Sequence, residues 1–293
     1  MGEKMAGTSL RAVLGLGIST ALGAIVFATS TPSVAQTPQQ IAACEGKNNV
    51  TPDERIANCS TIISASRPGP DIAWAYANRG NAYYTKGQYD RTVQDFSEAI
   101  KLDGSRADRY YGRGRAYRSL GEYDKAIADF STAIAGFDPS KYPAFYKRDY
   151  FNSRGGAFLS KKEYDLALAD YDDAIRVDPL YADSYYNRSF AYRGKGDYER
   201  AIGDLSRAIS GFDPGKFPAS YKRDYLYWRG RNYADKGDFS TAVSDYSEAI
   251  QIDPTFASAF LGRARAKQKL ADNAGSEADL ARARQLKPGI DTE

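Results

Sequence analysis

An arginine returns six times along this chain, at Arg79, Arg113, Arg154, Arg188, Arg229 and Arg263, and an aspartate follows each one sixteen residues later. The aspartates are Asp95, Asp129, Asp170, Asp204, Asp245 and Asp279, and successive pairs follow at either a short step (Arg79 to Arg113) or a longer one (Arg113 to Arg154). A fixed period in this range is the mark of stacked supersecondary units, each too small to bury a core alone. Such a chain builds an elongated solenoid that presents a long surface to a partner.

Within the first unit, Tyr76, Gly80, Tyr83 and Thr85 fall on one helical stretch, Gly87 interrupts it, and Tyr89 to Ile100 form a second. Apolar and small residues recur at helical spacing in both, which predicts a pair of helices each with one buried stripe. A small residue recurs where the first helix must approach a neighbour: Gly80, Gly114, Gly155, Ser189, Gly230 and Ala264. The second helix offers Ala99, Ala133, Ala174, Ala208, Ala249 and Ala283 in return, with aromatics such as Tyr83, Phe96, Phe130 and Tyr171 filling the space between. Asp-Pro steps at Pro179 and Pro254 close two of the units.

This alternation of aromatic, small, Gly, Tyr, Ala and Pro positions over one short step resembles the tetratricopeptide repeat (TPR) family, from Asp71 to Pro288. The resemblance implies an all-α, right-handed α-solenoid of six helix-turn-helix units, at about 73–106, 107–140, 148–181, 182–215, 223–256 and 257–288. The sixth unit departs from the pattern at Lys267, Ala271 and Asn273, and Arg282, Arg284 and Lys287 suit a polar terminal cap. Ahead of the units, residues 36–70 are read as an N-terminal capping segment whose helix spans Pro52 to Ser66; residues 289–293 are a tail. In a hairpin turning at Gly87, Arg79 and Asp95 sit at the same height, as do the other five pairs. We expect a structural Arg–Asp ladder, since six carboxylates would neutralise any anion-binding row.

Residues 1–35 read as an export signal. Lys4 and Arg11 precede the uncharged apolar stretch Ala12 to Ala28, and Ser33-Val34-Ala35 fits a small-x-small cleavage pattern. The alternative, an uncleaved anchor, is disfavoured by a short, glycine-interrupted apolar core. No stable membrane span is expected after cleavage at Gln36. Cys44 and Cys59, the two cysteines, are then expected to form a disulfide in an oxidising compartment, periplasmic or secreted, of a bacterial cell. Their spacing is not the C-x-x-C of a redox-active pair.

The chain has no histidine, which removes the commonest general base and metal ligand together. No metal-ligand cluster, phosphate-cradling glycine loop or cofactor motif is visible, so we expect no enzyme, no cofactor and no metal. The formal net charge is +3 and no run of basic residues occurs, so nucleic acid is not an expected partner.

A second, longer repeat runs through the first. Gly136 to Tyr150 reads GFDPSKYPAFYKRDY and Gly211 to Tyr225 reads GFDPGKFPASYKRDY, identical at 12 of 15 positions. The second copy follows the first by one short and one long step of the arginine series, so the chain is also a tandem of paired units. Pro143 and Pro218 suit a helix first turn, so these inserts are expected to lengthen the following helix by about two turns. They also place Tyr146, Lys147, Arg148 and Tyr221, Lys222, Arg223 as two equivalent basic-aromatic knobs on one rim, which could grip a ligand or a second copy of the chain.

The TPR resemblance implies that first helices line a concave groove. Its register assigns to that groove Trp74, Asn78, Asn81, Tyr84, Tyr111, Arg115, Arg118, Asn152, Tyr186, Asn187, Phe190, Arg193, Tyr227, Trp228, Arg231 and Arg265, with an acidic edge from Asp108, Asp149, Asp183 and Asp224. Tyr, Trp and Arg dominate protein-binding hot spots. The family's clamp for chaperone tails is not matched, because its positions hold Ala77, Gly112, Asp149 and Ser153 and only Asn81 fits. The expected function is a non-catalytic protein- or peptide-binding scaffold of the cell envelope; a glycan- or peptidoglycan-binding module is the alternative.

Overall fold

The computed structural model describes residues 36–47 and 49–290, and the leader expected over 1–35 lies outside them, as do the last three residues of the tail. Fourteen α-helices follow one another among the described residues: α1 Pro38–Cys44, α2 Pro52–Ala65, α3 Ala73–Thr85, α4 Tyr89–Leu102, α5 Ala107–Ser119, α6 Tyr123–Ala135, α7 Ala144–Ser160, α8 Tyr164–Val177, α9 Ala182–Gly194, α10 Tyr198–Ser210, α11 Ala219–Lys236, α12 Phe239–Ile252, α13 Ala257–Lys269 and α14 Asn273–Leu286. No strand occurs among these residues, and none of their helices is long and apolar enough to cross a membrane.

From α3 onward the helices pair as antiparallel hairpins, and each helix packs on its sequence neighbours. First helices also touch first helices: α3 meets α5, α5 meets α7, α7 meets α9 and α11 meets α13. No comparable contact joins one second helix to the next, so the first helices form the inner layer of a curved stack and the second helices the outer layer. The hairpin turns need a left-handed residue. Gly87, Gly121, Gly196 and Gly237 supply it at φ between 70° and 93°. Lys162 and Ala271 adopt the same conformation without glycine, at φ 62° and 60°, a conformation that costs a side-chain-bearing residue about 1 kcal/mol.

Packing between layers is an aromatic-into-glycine fit. Phe96 on α4 is buried between Gly80 of its own hairpin and Gly112 of the next; a Cβ on Gly112 would stand 2.2 Å from its ring. Tyr246 occupies the same seat between Gly230 and Gly262. Burying one such ring removes it from water at a gain of about 2–3 kcal/mol.

Polar bolts cross that apolar fit. In all six units the arginine donates Nε and Nη2 to both oxygens of its aspartate, with all twelve distances between 2.6 and 2.9 Å. The six carboxylates are buried. Each arginine then turns its remaining donor, Nη1, backward onto the second helix of the unit before it. Its acceptors are Ser60, Ser97, Ser131, Asp172, Ser206 and Ser247. One side chain therefore closes its own hairpin and fastens it to the previous one. In the sixth unit Lys267, which replaces an aromatic, adds a second cation 2.9 Å from Asp279.

Two expectations change. The cap is a helical hairpin, since α1 precedes α2, and Cys44 at the end of α1 is bonded to Cys59 on α2 with a Cα–Cα distance of 4.8 Å. Both helices start with a reciprocal Thr cap, Thr37 with Gln40 and Thr51 with Glu54. The two inserts lengthen α7 and α11 at their starts by about one turn, not two. Pro143 and Pro218 stand just before those helices in extended conformation, at ψ 147° and 148°. The residues ahead of them are spent on a turn in which Asp138 and Asp213 accept from the backbone of Ser140 and Gly215.

Two measurements check this account. Asp170→Asn should lower stability by about 3 kcal/mol or more, because the Arg154 charge loses its buried partner; an unchanged denaturant midpoint would remove the ladder from the fold's energetics. Reducing the Cys44–Cys59 bridge should cost about 3 kcal/mol from loop entropy alone, seen as a lower thermal midpoint and as earlier proteolysis within the first hairpin.

Candidate functional site

The inner layer carries every side chain that the repeat register assigns to a groove, but it treats them unequally. Several are bound within the chain. Trp74 packs against the Cys44, Cys59 and Ile62 cluster, and Asn78 accepts from Arg55 Nη2 at 2.8 Å. Arg115 lies between the Tyr84 and Tyr111 rings, 4.2 and 5.8 Å from their centroids. Tyr186, Phe190, Trp228 and Tyr227 form a continuous row of edge-to-face contacts, with centroids 4.8–5.5 Å apart. Arg193 donates to Asn232 at 2.9 Å and pairs with Asp235, and both it and Arg231 lie over the Trp228 ring. Asn81 stands exposed on α3.

Three cavities open along this layer. The N-terminal one, about 350 Å³, is bordered by Trp74, Asn81, Arg106, Asp108 and Arg115. The central one, about 480 Å³, receives Tyr111, Arg118, Asn152, Tyr186 and Asn187 from the expected set. The C-terminal one, about 460 Å³, is bordered by Tyr227, Arg231, Asp235 and Arg265. Asn152 donates to Ser184 at 2.9 Å, while its carbonyl oxygen is buried with no hydrogen-bond partner. Such a group carries a desolvation cost until something donates to it.

The acidic edge enters the central cavity. Asp149, Asp183 and Asp224 border it together with Tyr181, Tyr186, Tyr221 and Tyr225. Tyr181 escaped the sequence reading because it lies in the turn after Asp178-Pro179, outside the helix register; its place one long repeat beyond Arg106 was the available signal. The knobs behave differently from expectation. Arg148 bonds Asp149 and Asp178 and lies 3.6 Å over the Tyr181 ring; Arg223 bonds Asp224 and Asp253 and lies 4.5 Å over Phe256. Both guanidiniums fold back onto the far end of their own unit, because an aspartate closes the unit that follows each insert and stands within reach of the lengthened helix. Among the described residues no group of three or more His, Cys, Asp or Glu side chains is arranged to hold a metal ion.

Comparison with known proteins places this geometry. The profile described as "Tetratricopeptide repeat" matches residues 73–105 and 107–135, and that described as "TPR repeat" matches 155–196 and 230–270. No curated protein matches the sequence. Among solved structures, a tetratricopeptide repeat protein from Parabacteroides merdae superposes with a TM-score of 0.61 at 15% identity, over 82% of this chain and 89% of its own. PilF of Pseudomonas aeruginosa gives 0.60 at 17% identity over 75% and 94%. YrrB, described as a TPR protein with an unusual peptide-binding site, gives 0.50 at 22% identity over 69% and 95%. At these identities the likeness is one of fold.

The tyrosines bordering the central and C-terminal cavities report on burial there. Burial, then the Asp224 and Asp183 carboxylates, push Tyr186 up to about 12; burial pushes Tyr181, Tyr225 and Tyr246 upward as well. Burial likewise raises Asp149 despite the Arg148 hydrogen bond. A tyrosine in the unfolded chain ionises near 10. As pH climbs from about 10 toward 12 the unfolded state therefore sheds protons that the folded state retains, and stability falls across that window. Thermal midpoints measured over this range should drop, and Tyr186→Phe should drop less steeply than the parent.

Proposed function

We propose that this chain, which belongs to the tetratricopeptide-repeat family, is a non-catalytic interaction scaffold that binds an extended peptide or a protein surface along its inner helix layer. TPR units mediate protein–protein interaction in general, and YrrB, similar in fold, is described as having a peptide-binding site. The observation that carries the reading is the inner layer itself. It is a run of three cavities, the central and C-terminal ones bridged by a pre-packed aromatic row, with arginines and carboxylates at their edges. Rigid aromatic and Arg side chains offer contact area at little entropic cost.

The Cys44–Cys59 disulfide supports a compartment outside the cytoplasm. Together with the leader-like composition of residues 1–35, it supports export to the periplasm or cell surface, where the partner would be an envelope protein. The glycan alternative draws less support. Trp74 is committed to the cap cluster and Trp228 to Phe190, Tyr227 and two arginines, so neither ring stands as a free platform for a sugar. Self-association through the rim inserts is likewise less supported, since Arg148 and Arg223 are paired within the chain.

A photo-crosslinking residue placed at Arg118, Asn187 or Arg231 on the inner layer should capture one and the same protein in cells. The same residue at Lys101 or Arg176 on the outer helices should capture none of it. Equal capture from both layers would overturn the groove as the binding face.

A further inference from the structure

The long repeat makes two of the cavities copies of each other. Moved forward by one long repeat, Arg106, Asp108, Tyr111 and Tyr146 of the N-terminal cavity become Tyr181, Asp183, Tyr186 and Tyr221 of the central one. In the first copy the chain supplies its own guanidinium. Arg106 donates Nε and Nη2 to the two oxygens of Asp108, at 3.1 and 2.9 Å, and lies 5.8 Å over the Tyr142 ring. In the second copy a tyrosine stands where that arginine was. Asp183 accepts from the Tyr225 hydroxyl and, among the described residues, pairs with no basic side chain.

Neighbouring cations do not make up the difference. Arg148 divides its donors between Asp149 and Asp178, and Arg223 between Asp224 and Asp253. Arg118 is the remaining cation on the wall, against Gly156. By lining residues the balance is reversed between the copies, Arg106, Arg109 and Arg115 with Asp108 in the N-terminal cavity and Asp149, Asp183 and Asp224 with Arg118 in the central one; of those three carboxylates Asp149 and Asp224 are held by Arg148 and Arg223, which leaves Asp183 as the one without a guanidinium. The central cavity also holds the unpartnered carbonyl oxygen of Asn152, an acceptor awaiting a donor.

We propose that the central cavity seats the guanidinium of an arginine side chain from a bound peptide, held on Asp183 among Tyr181, Tyr186 and Tyr221 much as Arg106 is held on Asp108. This rests on the groove reading above and adds the chemistry of what enters it. A planar guanidinium matches a carboxylate with two parallel hydrogen bonds and lies well against aromatic faces, and the low-dielectric wall strengthens both contacts. The same wall repels an acidic side chain, so the cavity also selects register along the peptide.

The test uses fluorescein-labelled, end-blocked nonapeptide pools, randomised except for a central arginine, citrulline or glutamate, titrated by anisotropy against the disulfide-bonded chain. The arginine pool should bind about tenfold or more tighter than the citrulline pool, the scale of charge-assisted hydrogen bonds. Asp183→Asn should erase that preference. Tyr181→Arg should erase it too, by installing in the second copy the guanidinium that the first copy already has. If arginine preference survives both substitutions, the inference is wrong. If all pools bind alike and all weaken with Arg231→Ala, the groove stands and this assignment of its central cavity falls. If no pool binds, both fall.

Discussion

Everything in this solenoid hangs on one side chain used three ways. A guanidinium is planar and carries its donors in a fixed fork, so two of them can meet a carboxylate in parallel while a third points elsewhere. Each of the six arginines spends the pair on the aspartate of its own hairpin and the third donor on the hairpin before it. The angle within a hairpin and the angle between hairpins are thereby set by the same rigid group. A lysine could satisfy the carboxylate but not both directions at once. The aromatic-into-glycine fit fills the space that this framework defines.

The fold was largely legible because its determinants are periodic. The pairing of Arg79 with Asp95, and of the other five, follows from register alone. What escaped was whatever crosses the period. Four of the serines that receive Nη1 sit two residues after an aspartate of the series, at Ser97, Ser131, Ser206 and Ser247, yet a unit-by-unit reading pairs them with nothing, because their arginine belongs to the following unit. α1 is seven residues long, too short to show a helical period. The groove was legible as a set of positions and not as a set of free groups. Arg115 and Arg193 are on the expected face but reach across to the neighbouring helix, Arg115 to Tyr84 and Arg193 to Trp228, and the reach of a long side chain is decided by packing rather than spacing. Arg148 and Arg223 turned inward for the same reason: the carboxylates that hold them, Asp178 and Asp253, lie in the next turn but one.

The longer repeat shows how a solenoid diversifies without disturbing its frame. The two long blocks keep their ladder, their turns and their insert nearly unchanged, while the wall of the equivalent cavity has moved from a basic to an acidic balance by exchanges such as Arg106 for Tyr181 and Trp74 for Asp149. None of these positions touches an Arg–Asp bolt. The frame and the lining are separable, which is why recognition can change while the stack stays.

The backward reach of every arginine also gives the molecule a grammar of assembly. The acceptor always lies earlier in the chain than the donor that uses it: Ser60 before Arg79, Ser97 before Arg113, and so on to Ser247 before Arg263. A chain emerging from a ribosome or a membrane pore N-terminus first thus finds each seat already built when the matching bolt arrives, starting from a cap that its own disulfide has closed. Growth from the other end would leave one donor of each new arginine waiting. The backward contact therefore gives the stack a direction, each hairpin fastened to the one before it and the first to the disulfide-closed cap.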